Sequence, residues 1–247
     1  MVIWNPWHGC HKISEGCKHC YMFRRDAKYG IDSETVRRIR SYYLPLRINP
    51  KGDYVLDTEE TVYVCMTSDF FIEEADPWRE ETWQMMQHRD DLRYYIITKR
   101  IDRFQCSLHS SWREGYEHVT IAVTCENQRM ADERLPIFLK QPIKHRQIIH
   151  EPLLGPIDIR RYLETGKIEG VICGGESGYH GRICDFDWVL DIARQCEEQD
   201  VDFCFKQTGE LFRKDGTVYR VPRYLQMEQA RKAGLNTGRF RRGLEKV

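Results

Sequence analysis

A regular alternation between short apolar runs and amphipathic stretches restricts the fold of this chain more than any other feature of its sequence. Runs rich in β-branched and aromatic residues predict strands. They cover residues 2–5, 61–66, 93–98, 118–124, 146–150, 170–173 and 201–205. The amphipathic stretches between them predict helices. They cover residues 20–28, 77–89, 127–139, 157–165 and 186–199.

Strands that alternate with helices pair in parallel through right-handed crossovers. Seven such units predict an α/β fold, a partial (β/α) TIM-like barrel of about seven parallel strands. A doubly wound open sheet is the alternative. We assign residues 1–209 to the barrel, with an irregular insertion at about residues 31–60, and residues 210–247 to a basic C-terminal extension. The extension is expected to contain a hairpin around Asp215 and Gly216 and a helix over residues 224–233.

The composition is that of a globular protein. Hydrophobic residues make up 41% and charged residues 31% of the 247. No apolar run approaches the roughly 20 residues of a membrane span, and the N-terminus shows no secretory signal. We therefore expect a cytoplasmic protein with no membrane partner and with reduced cysteines.

Basic residues are concentrated in the C-terminal extension, although the formal net charge of the whole chain is zero. Ten lysines and arginines lie between residues 211 and 247, against three acidic residues. Such a segment is either a solvated surface or a contact for nucleic acid, whose binding would weaken steeply with salt.

Three cysteines lie close together near the N-terminus, with the spacing Cys10-x6-Cys17-x2-Cys20, directly before a predicted helix. Three thiolates in one loop can hold a soft metal centre. A four-iron cluster normally takes four thiolates, so three would leave one iron open to another ligand. Zinc, with His8, His11 or His19 as a further ligand, is the main alternative. Three unliganded thiols are the third interpretation.

The other seven cysteines carry no such spacing. Cys65, Cys125, Cys173 and Cys204 lie in apolar strand-like runs, which predicts small core residues. Cys106, Cys184 and Cys196 lie in or beside helical or loop stretches and give no signal.

Polar residues follow each predicted strand, at the positions where loops of a parallel barrel share one face. The candidates are Ser68, Asp69, Thr98, Glu126, Asn127, Glu151, Gly174, Gly175, Glu176, Ser177 and Lys206. Paired glycines let a ligand approach the backbone closely, although an ordinary turn is the alternative for residues 174–178. For Glu151 and Lys206 the alternative is a salt bridge that ties two strands together.

Several aromatic residues flank this predicted face. They are Trp4, Trp7, Tyr21, Phe23, Phe70 and Phe71. Such rings can stack on a base. We favour core positions for each of them, since aromatic side chains bury a large apolar area.

The motifs of this chain occur in order over nearly its whole length. They are Trp4-Asn5-Pro6, Gly9-Cys10, Ser14-Glu15-Gly16-Cys17-Lys18-His19-Cys20-Tyr21, Ser68-Asp69-Phe70-Phe71, Thr98-Lys99-Arg100, residues 151–156, residues 174–178 with Arg182, Trp188, and Phe205-Lys206-Gln207. In this order they resemble the phage Gp37/Gp68 family, a three-cysteine-motif group that is similar to radical S-adenosylmethionine (SAM) enzymes.

The resemblance implies a partial barrel of the radical SAM type that binds a 4Fe-4S cluster through Cys10, Cys17 and Cys20. It implies reductive cleavage of SAM to a 5′-deoxyadenosyl radical. The strand-end residues listed above are then expected to bind cofactor, except Glu151 and Lys206, which are expected to be catalytic. The expected partners are a flavodoxin- or ferredoxin-type electron donor, a nucleotide or nucleic-acid substrate and a three-Cys-motif partner protein.

Two features depart from the commonest radical SAM pattern. The first interval between cysteines is longer than in CxxxCxxC, and the Gly-Gly-Glu run follows the sixth predicted strand instead of the second. Two other classes of function therefore stay open. One is a zinc-dependent hydrolase or nucleic-acid-processing enzyme, and the other is a non-catalytic, metal-stabilised binding module.

Overall fold

The structure is a computed structural model that describes residues 2–242 and has a mixed α/β fold. The strands are β1 (Val2–Trp4), β2 (Trp7–His8), β3 (Arg37–Arg38), β4 (Thr61–Val64), β5 (Arg93–Thr98), β6 (Val119–Thr124), β7 (His145–His150), β8 (Gly170–Gly174), β9 (Ile183–Asp185), β10 (Asp202–Gln207), β11 (Leu211–Lys214) and β12 (Thr217–Arg220). The helices are α1 (Tyr21–Lys28), α2 (Asp76–His88), α3 (Gln128–Phe138), α4 (Arg160–Leu163), α5 (Phe186–Glu198), α6 (Gln226–Lys232) and α7 (Gly238–Arg242). Short 3-10 turns span Glu15–Cys17, Leu44–Leu46, Glu73–Ala75, Ile101–Arg103, Gln105–Ser107 and Arg223–Leu225.

The principal sheet has seven strands in the order β1-β4-β5-β6-β7-β8-β10, and the pairs β1–β4, β4–β5, β7–β8 and β8–β10 are parallel. These are the seven predicted strands, and they follow one another in chain order. A doubly wound sheet would instead reverse its strand order at a switch point. The sequential order is the one expected of a partial barrel.

The predicted helices form, but their lengths differ. The largest difference is at residues 157–165, where α4 covers only Arg160–Leu163. In the C-terminal extension the predicted hairpin is present as β11 and β12, joined at Asp215 and Gly216. The predicted helix over residues 224–233 begins as a 3-10 turn and becomes α6 at Gln226.

The chain divides into two compact units. The first contains Met1–Lys12, Met22–Ala122 and Lys140–His145, and the second contains Ile13–Tyr21, Val123–Leu139 and Arg146–Val247. The basic residue Lys246 and the acidic residue Glu245 of the extension lie outside the described residues. Within residues 2–242 no helix is both long and apolar enough to span a membrane.

An aromatic cluster forms the core of the first unit. Trp83 contacts Phe70 and Trp112 with ring centroids 4.7 and 4.8 Å apart, and Phe104 packs on Trp112 at 5.6 Å. Trp4, Trp7, Phe70 and Phe71 are fully buried, so core positions are confirmed for these four. The same expectation was wrong for Tyr21, which is 46% exposed at the start of α1.

Apolar residues and neutral thiols fill the core of the second unit. Phe186, Phe205 and Phe212 pack together with centroids 5.6 to 6.3 Å apart. Burial raises the pKa of Cys184 and of Cys196 to about 12, and that of Cys204 to about 11. These thiols are therefore protonated near neutral pH and are poor nucleophiles.

The prediction of buried cysteines holds for three of its four members. Cys65, Cys125 and Cys173 are buried, whereas Cys204 is half-buried because it lies on the outer strand β10 of the sheet. Burial also raises the pKa of Cys65 and of Cys173.

Candidate functional site

In the first unit, Cys10 is held by the backbone around it. Its amide donates to the carbonyl of Ser33 at 2.8 Å, and the preceding amide of Gly9 donates to Thr67 at 3.2 Å. Gly9 has a φ of +102°, and a Cβ atom there would lie 2.4 Å from the Thr35 carbonyl oxygen. Glycine is therefore required at this position, both by its backbone conformation and by the close approach of the neighbouring chain.

A buried guanidinium accompanies the Cys10 sulfur. Arg100 donates from Nη1 to Cys10 Sγ at 3.7 Å and from Nη2 to the carbonyl of His11 at 2.9 Å. The thiolate is the form of cysteine that binds metals, and Arg100 places a cation beside this sulfur. Arg100 follows strand β5, so the parallel sheet brings it to the cysteine from 90 residues away in the chain.

Asp69 organises the strand ends of the first unit. Its Oδ1 accepts from the amide of Phe71 at 3.0 Å and from Thr98 Oγ1 at 2.8 Å, and its Oδ2 accepts from the amide of Lys99 at 2.9 Å. Arg100 Nη1 lies 3.5 Å from the same Oδ2. The predicted cofactor residues Asp69 and Thr98 thus bind each other and orient Arg100. Ser68, the third, donates its hydroxyl to the carbonyl of Gly9.

Histidines of the same unit are paired with carboxylates. His8 Nε2 lies 2.7 Å from Asp26 Oδ2, which also accepts from Ser33 at 2.9 Å. Asp26 is fully buried, and burial raises its pKa, but the donors from Arg25, Ser33 and His8 outweigh this and lower it. His11 is paired with Glu74.

In the second unit, Cys17 ends the 3-10 turn Glu15–Cys17, and Cys20 lies directly before α1. The amide of Cys20 donates to the carbonyl of Cys17 at 3.3 Å, and Ser14 Oγ lies 3.8 Å from Cys17 Sγ. Both thiols are half-buried. The Cys20–Cys17 hydrogen bond keeps the backbone of these two residues close together in the segment before α1.

Glu126, at the end of β6, holds this cysteine segment. It is fully buried, and its Oε1 accepts from the amide of Gly16 at 3.1 Å. Its Oε2 accepts from Arg134 at 2.8 Å. Asn127 next to it caps helix α3 by accepting from the amide of Met130, and it donates to Glu15 at 3.2 Å.

Glu176 holds the same segment from the end of β8. His19 Nδ1 donates to its Oε2 at 3.0 Å, and Arg182 donates to both carboxylate oxygens. Arg182 also donates to the carbonyl of Glu15 at 3.0 Å. Burial raises the pKa of Glu176, but the donors from Arg182 and His19 outweigh it, and the net effect lowers the pKa.

Of the paired glycines before Glu176, Gly175 is required by the close backbone of Thr208, whereas Gly174 is only tightly packed. A Cβ on Gly175 would lie 2.1 Å from the carbonyl oxygen of Thr208, and one on Gly174 would lie 3.0 Å from Glu151 Oε1. The space that the sequence suggested for a ligand beside Gly175 is taken by the backbone that follows β10. Ser177 continues the loop and is half-buried.

Glu151 and Lys206 form an ion pair. Lys206 Nζ donates to Glu151 Oε2 at 2.7 Å, and Gln207 Nε2 donates to the other carboxylate oxygen. The Glu151–Pro152 peptide bond is cis, and the amide of Leu153 donates to the carbonyl of Gly174. The strand-tying salt bridge, which was the alternative interpretation of these two residues, is therefore present.

His150 lies directly before this pair and is fully buried. Its Nδ1 donates to the carbonyl of Cys125 at 2.6 Å, while its Nε2 has no hydrogen-bond partner within the described chain. Burial lowers its pKa to about 4, against opposing effects of the Cys125 carbonyl and of Glu126. The imidazole is therefore neutral near pH 7.

Sequence reasoning found most of these residues but not their contacts. Glu126, Asn127 and Glu176, expected to bind cofactor, contact residues 15–19 of the cysteine segment. The role of Arg134 was missed, because its only signal is a position two helical turns into α3. Among residues 2–242, no group of three or more His, Cys, Asp or Glu side chains is already arranged around a common metal position.

These contacts define an α/β protein in which buried carboxylates at strand ends hold a segment with two half-buried thiols. Within that class, the chain belongs to the family described as a protein of unknown function, DUF5131, whose model matches residues 2–243. No curated protein matches the chain, and no solved structure does.

Proposed function

We propose that this protein is a radical SAM-like iron–sulfur enzyme on a partial barrel of the radical SAM type. Cys10, Cys17 and Cys20 would hold a 4Fe-4S cluster. The observation that carries the proposal is the contrast among thiols. The three loop cysteines are all half-buried and lie within one short stretch of chain, and Cys10 and Cys17 have polar groups at their sulfurs. Of the other seven, five are fully buried, Cys204 is half-buried and Cys106 is exposed, and no three of these lie within so short a stretch.

The donor set has the chemistry that such a cluster needs. Iron–sulfur clusters bind cysteine thiolates, and all ten cysteines of this chain are reduced thiols. Arg100 beside Cys10 offsets thiolate charge, and Ser14 offers a hydroxyl to Cys17. Hydrogen bonds to cluster sulfurs tune reduction potential, so both residues have a role once a cluster is bound.

Bound at Cys10, Cys17 and Cys20, the cluster would pass one electron to SAM, and this reductive cleavage would supply hydrogen-atom abstraction from a substrate. The chain's own residues bind and orient these groups. Glu126 and Glu176 each use one carboxylate oxygen on the cysteine segment, so we propose that they position the cluster ligands. Ser68, Asp69, Thr98, Asn127, Gly174 and Ser177 remain the proposed cofactor-side residues, whereas the backbone at Thr208 fills the space beside Gly175.

Glu151 and Lys206 are proposed to face the substrate. Lys206 keeps 43% of its side chain exposed while its ammonium is paired with Glu151. A half-exposed pair of this kind can exchange its partner for a polar or anionic group of a substrate at modest cost. Gln207 keeps the carboxylate oriented while Lys206 moves.

The proposal extends to partners and location. The thiols are those of a reducing compartment, and we place the reaction in the cytoplasm. A flavodoxin- or ferredoxin-type protein would supply the electron, and a three-Cys-motif protein would be a further partner. The basic extension supports a nucleotide or nucleic-acid substrate.

A zinc enzyme is the second candidate, and one contact favours it. His19 Nδ1 donates to Glu176, which leaves Nε2 of the same ring for another ligand. Metal-bound histidines commonly make this bond to a carboxylate. The segment 17–20 therefore offers two thiols and one imidazole, a set that zinc also binds. For this reason the bound metal must be identified by direct analysis.

The test is anaerobic reconstitution of the full chain with iron and sulfide, followed by metal and acid-labile sulfide analysis and EPR of the reduced protein. We expect about four irons and four sulfides per chain, as in a 4Fe-4S centre, and reductive cleavage of SAM. Cys17→Ala should lose the cluster. Cys106→Ala, which removes an exposed thiol from another part of the chain, is the matched control.

Zinc bound in place of iron, with no sulfide, would contradict the proposal and favour the hydrolase. A full cluster retained by Cys17→Ala would contradict the assignment of ligands.

A further inference from the structure

The last part of the described chain is strongly basic. Residues 211–242 contain nine lysines and arginines and two acidic residues, although the whole chain has no net charge. The remainder of the chain is correspondingly acidic. A charge separation of this kind marks a surface for a polyanion.

Several of these cations are available for an external partner. Arg213 is paired with Asp185, Arg220 with Glu210, and Lys232 with Glu228. Arg223 and Arg231 are exposed and make no ion pair within the described chain. Lys214 is exposed as well and lies over the ring of Phe186, 5.4 Å from its centroid.

Exposed aromatic and apolar side chains lie among these cations. Every residue of β12 is exposed, and Tyr219 on this edge strand is 50% exposed. Tyr224 is 81% exposed, and Met227 is exposed one turn further along. Met227 and Arg231 are four apart on α6 and share one helix face. We call Tyr219, Arg223, Tyr224, Met227 and Arg231 the tyrosine–arginine surface.

This surface is joined to the loop that holds the cysteine segment. The amide of Glu210 donates to the carbonyl of Glu176 at 3.0 Å, and the amide of Val221 donates to the carbonyl of Glu210 at 2.8 Å. Glu210 also pairs with Arg220 of β12. Two hydrogen-bond steps therefore separate Glu176 from Val221, which lies in the chain between Tyr219 and Arg223 of the tyrosine–arginine surface.

We propose that the tyrosine–arginine surface binds single-stranded nucleic acid. Exposed tyrosines supply faces on which unpaired bases stack, and the arginines bind phosphates. A duplex keeps its bases stacked inside, so it would use the arginines but not the tyrosines. The same ligand would be the substrate if the proposed radical chemistry is correct, and that identification rests on the proposed function. The binding itself requires no cluster.

The test is fluorescence anisotropy of the full chain with labelled oligothymidylate and oligouridylate of about 12 nucleotides, which spans the site size of typical single-strand binders. We expect both to bind more tightly than a duplex of equal length. Tyr219→Ala and Tyr224→Ala should each weaken binding about tenfold. Arg223→Ala and Arg231→Ala should each reduce the salt slope by about 0.7.

Tyr29→Ala is the matched control, because Tyr29 is 67% exposed and lies in the first unit. The metal-free chain should bind the oligonucleotides as tightly as the reconstituted chain does, which separates this proposal from the iron–sulfur one. No binding at low salt, or equal loss in Tyr29→Ala, would overturn it. So would tyrosine variants that leave oligonucleotide binding unchanged but abolish self-association in sedimentation, since the surface would then be a protein contact.

Discussion

Arg182 and Glu176 form a two-pronged ion pair at the end of β8. Arg182 Nη2 lies 2.6 Å from Glu176 Oε1, and its Nε lies 2.9 Å from Oε2. Planar guanidinium and carboxylate groups match best in this geometry. The same guanidinium reaches the carbonyl of Glu15, so the pair ties the strand end to the residues before Cys17.

Removing this guanidinium should loosen the cysteine segment. In Arg182→Ala, Glu176 loses its bidentate partner and Glu15 loses a donor. We expect a loss of about 2 kcal/mol in the free energy of unfolding, and several-fold faster alkylation of Cys17 and Cys20 in the metal-free protein. Mass spectrometry of peptides after timed alkylation measures the second effect.

Arg213→Ala is the control for this variant, since Arg213 pairs with Asp185 beside the hairpin. If Arg182→Ala is destabilised but alkylates at the normal rate, the pair stabilises the fold without positioning the cysteines.

A side chain at position 16 should disturb the contact with Glu126. A Cβ on Gly16 would lie 2.9 Å from the Glu126 carboxylate, which is buried and already bound to Arg134. We expect Gly16→Ala to lose about 2 kcal/mol in the free energy of unfolding, as overpacked sites do. Urea denaturation measures it. Gly155→Ala, where the added methyl meets nothing within 4 Å, should be nearly neutral.

Asp69 should be sensitive to loss of one oxygen acceptor. In Asp69→Asn, the amide nitrogen would face either the amide of Lys99 or the donors from Phe71 and Thr98, which places two donors together. We expect a cost of about 3 kcal/mol, the range for a charged acceptor that leaves buried donors unpaired. A lower urea midpoint at constant slope would show it. Asp57→Asn, which changes an exposed carboxylate, is the control. An equal fall in the urea midpoint of both variants would show that the hydrogen bonds of Asp69 contribute no special stability.

The free energy of unfolding should fall in acid because the buried His150 imidazole resists protonation in the folded chain. Its pKa is about 4 in the folded chain, below the ordinary value of 6.5, so the unfolded chain binds the proton more tightly. The neutral form therefore stabilises the fold fully above pH 6.5, and this contribution is lost as the pH falls towards 4. The loss amounts to about 3 kcal/mol.

Comparison of unfolding free energies at several pH values tests this. His150→Gln cannot titrate, so its stability should depend less on pH than that of the unaltered chain. His88→Gln changes an exposed histidine and should keep the full dependence. Parallel curves for the unaltered chain and His150→Gln would show that His150 is not the responsible group.

The alternation of apolar runs and amphipathic stretches was enough to predict seven strands, their parallel pairing and their sequential order. The pattern was sufficient for these features because the spacing of apolar residues within a short stretch shows which face of a helix or strand is buried. The cysteine spacing likewise set Cys10, Cys17 and Cys20 apart from the apolar strand cysteines, and all three are half-buried. It gave no signal for Cys106, which is exposed, and it did not predict that Cys204 would be only half-buried. Tyr21 was misjudged because the pattern shows a ring but not which side of a short helix it occupies.

Only the tertiary structure decided what the strand-end residues contact. Glu126 meets Gly16 across 110 positions of sequence, His19 meets Glu176 across 157, and Arg100 meets Cys10 across 90. Sequence shows that a carboxylate follows a strand, but its partner depends on which loop returns to that strand end. Hydrogen bonds act over about 3 Å. Whether a strand-end carboxylate binds a ligand or holds a neighbouring loop therefore depends on how distant segments pack, which a local sequence pattern does not show.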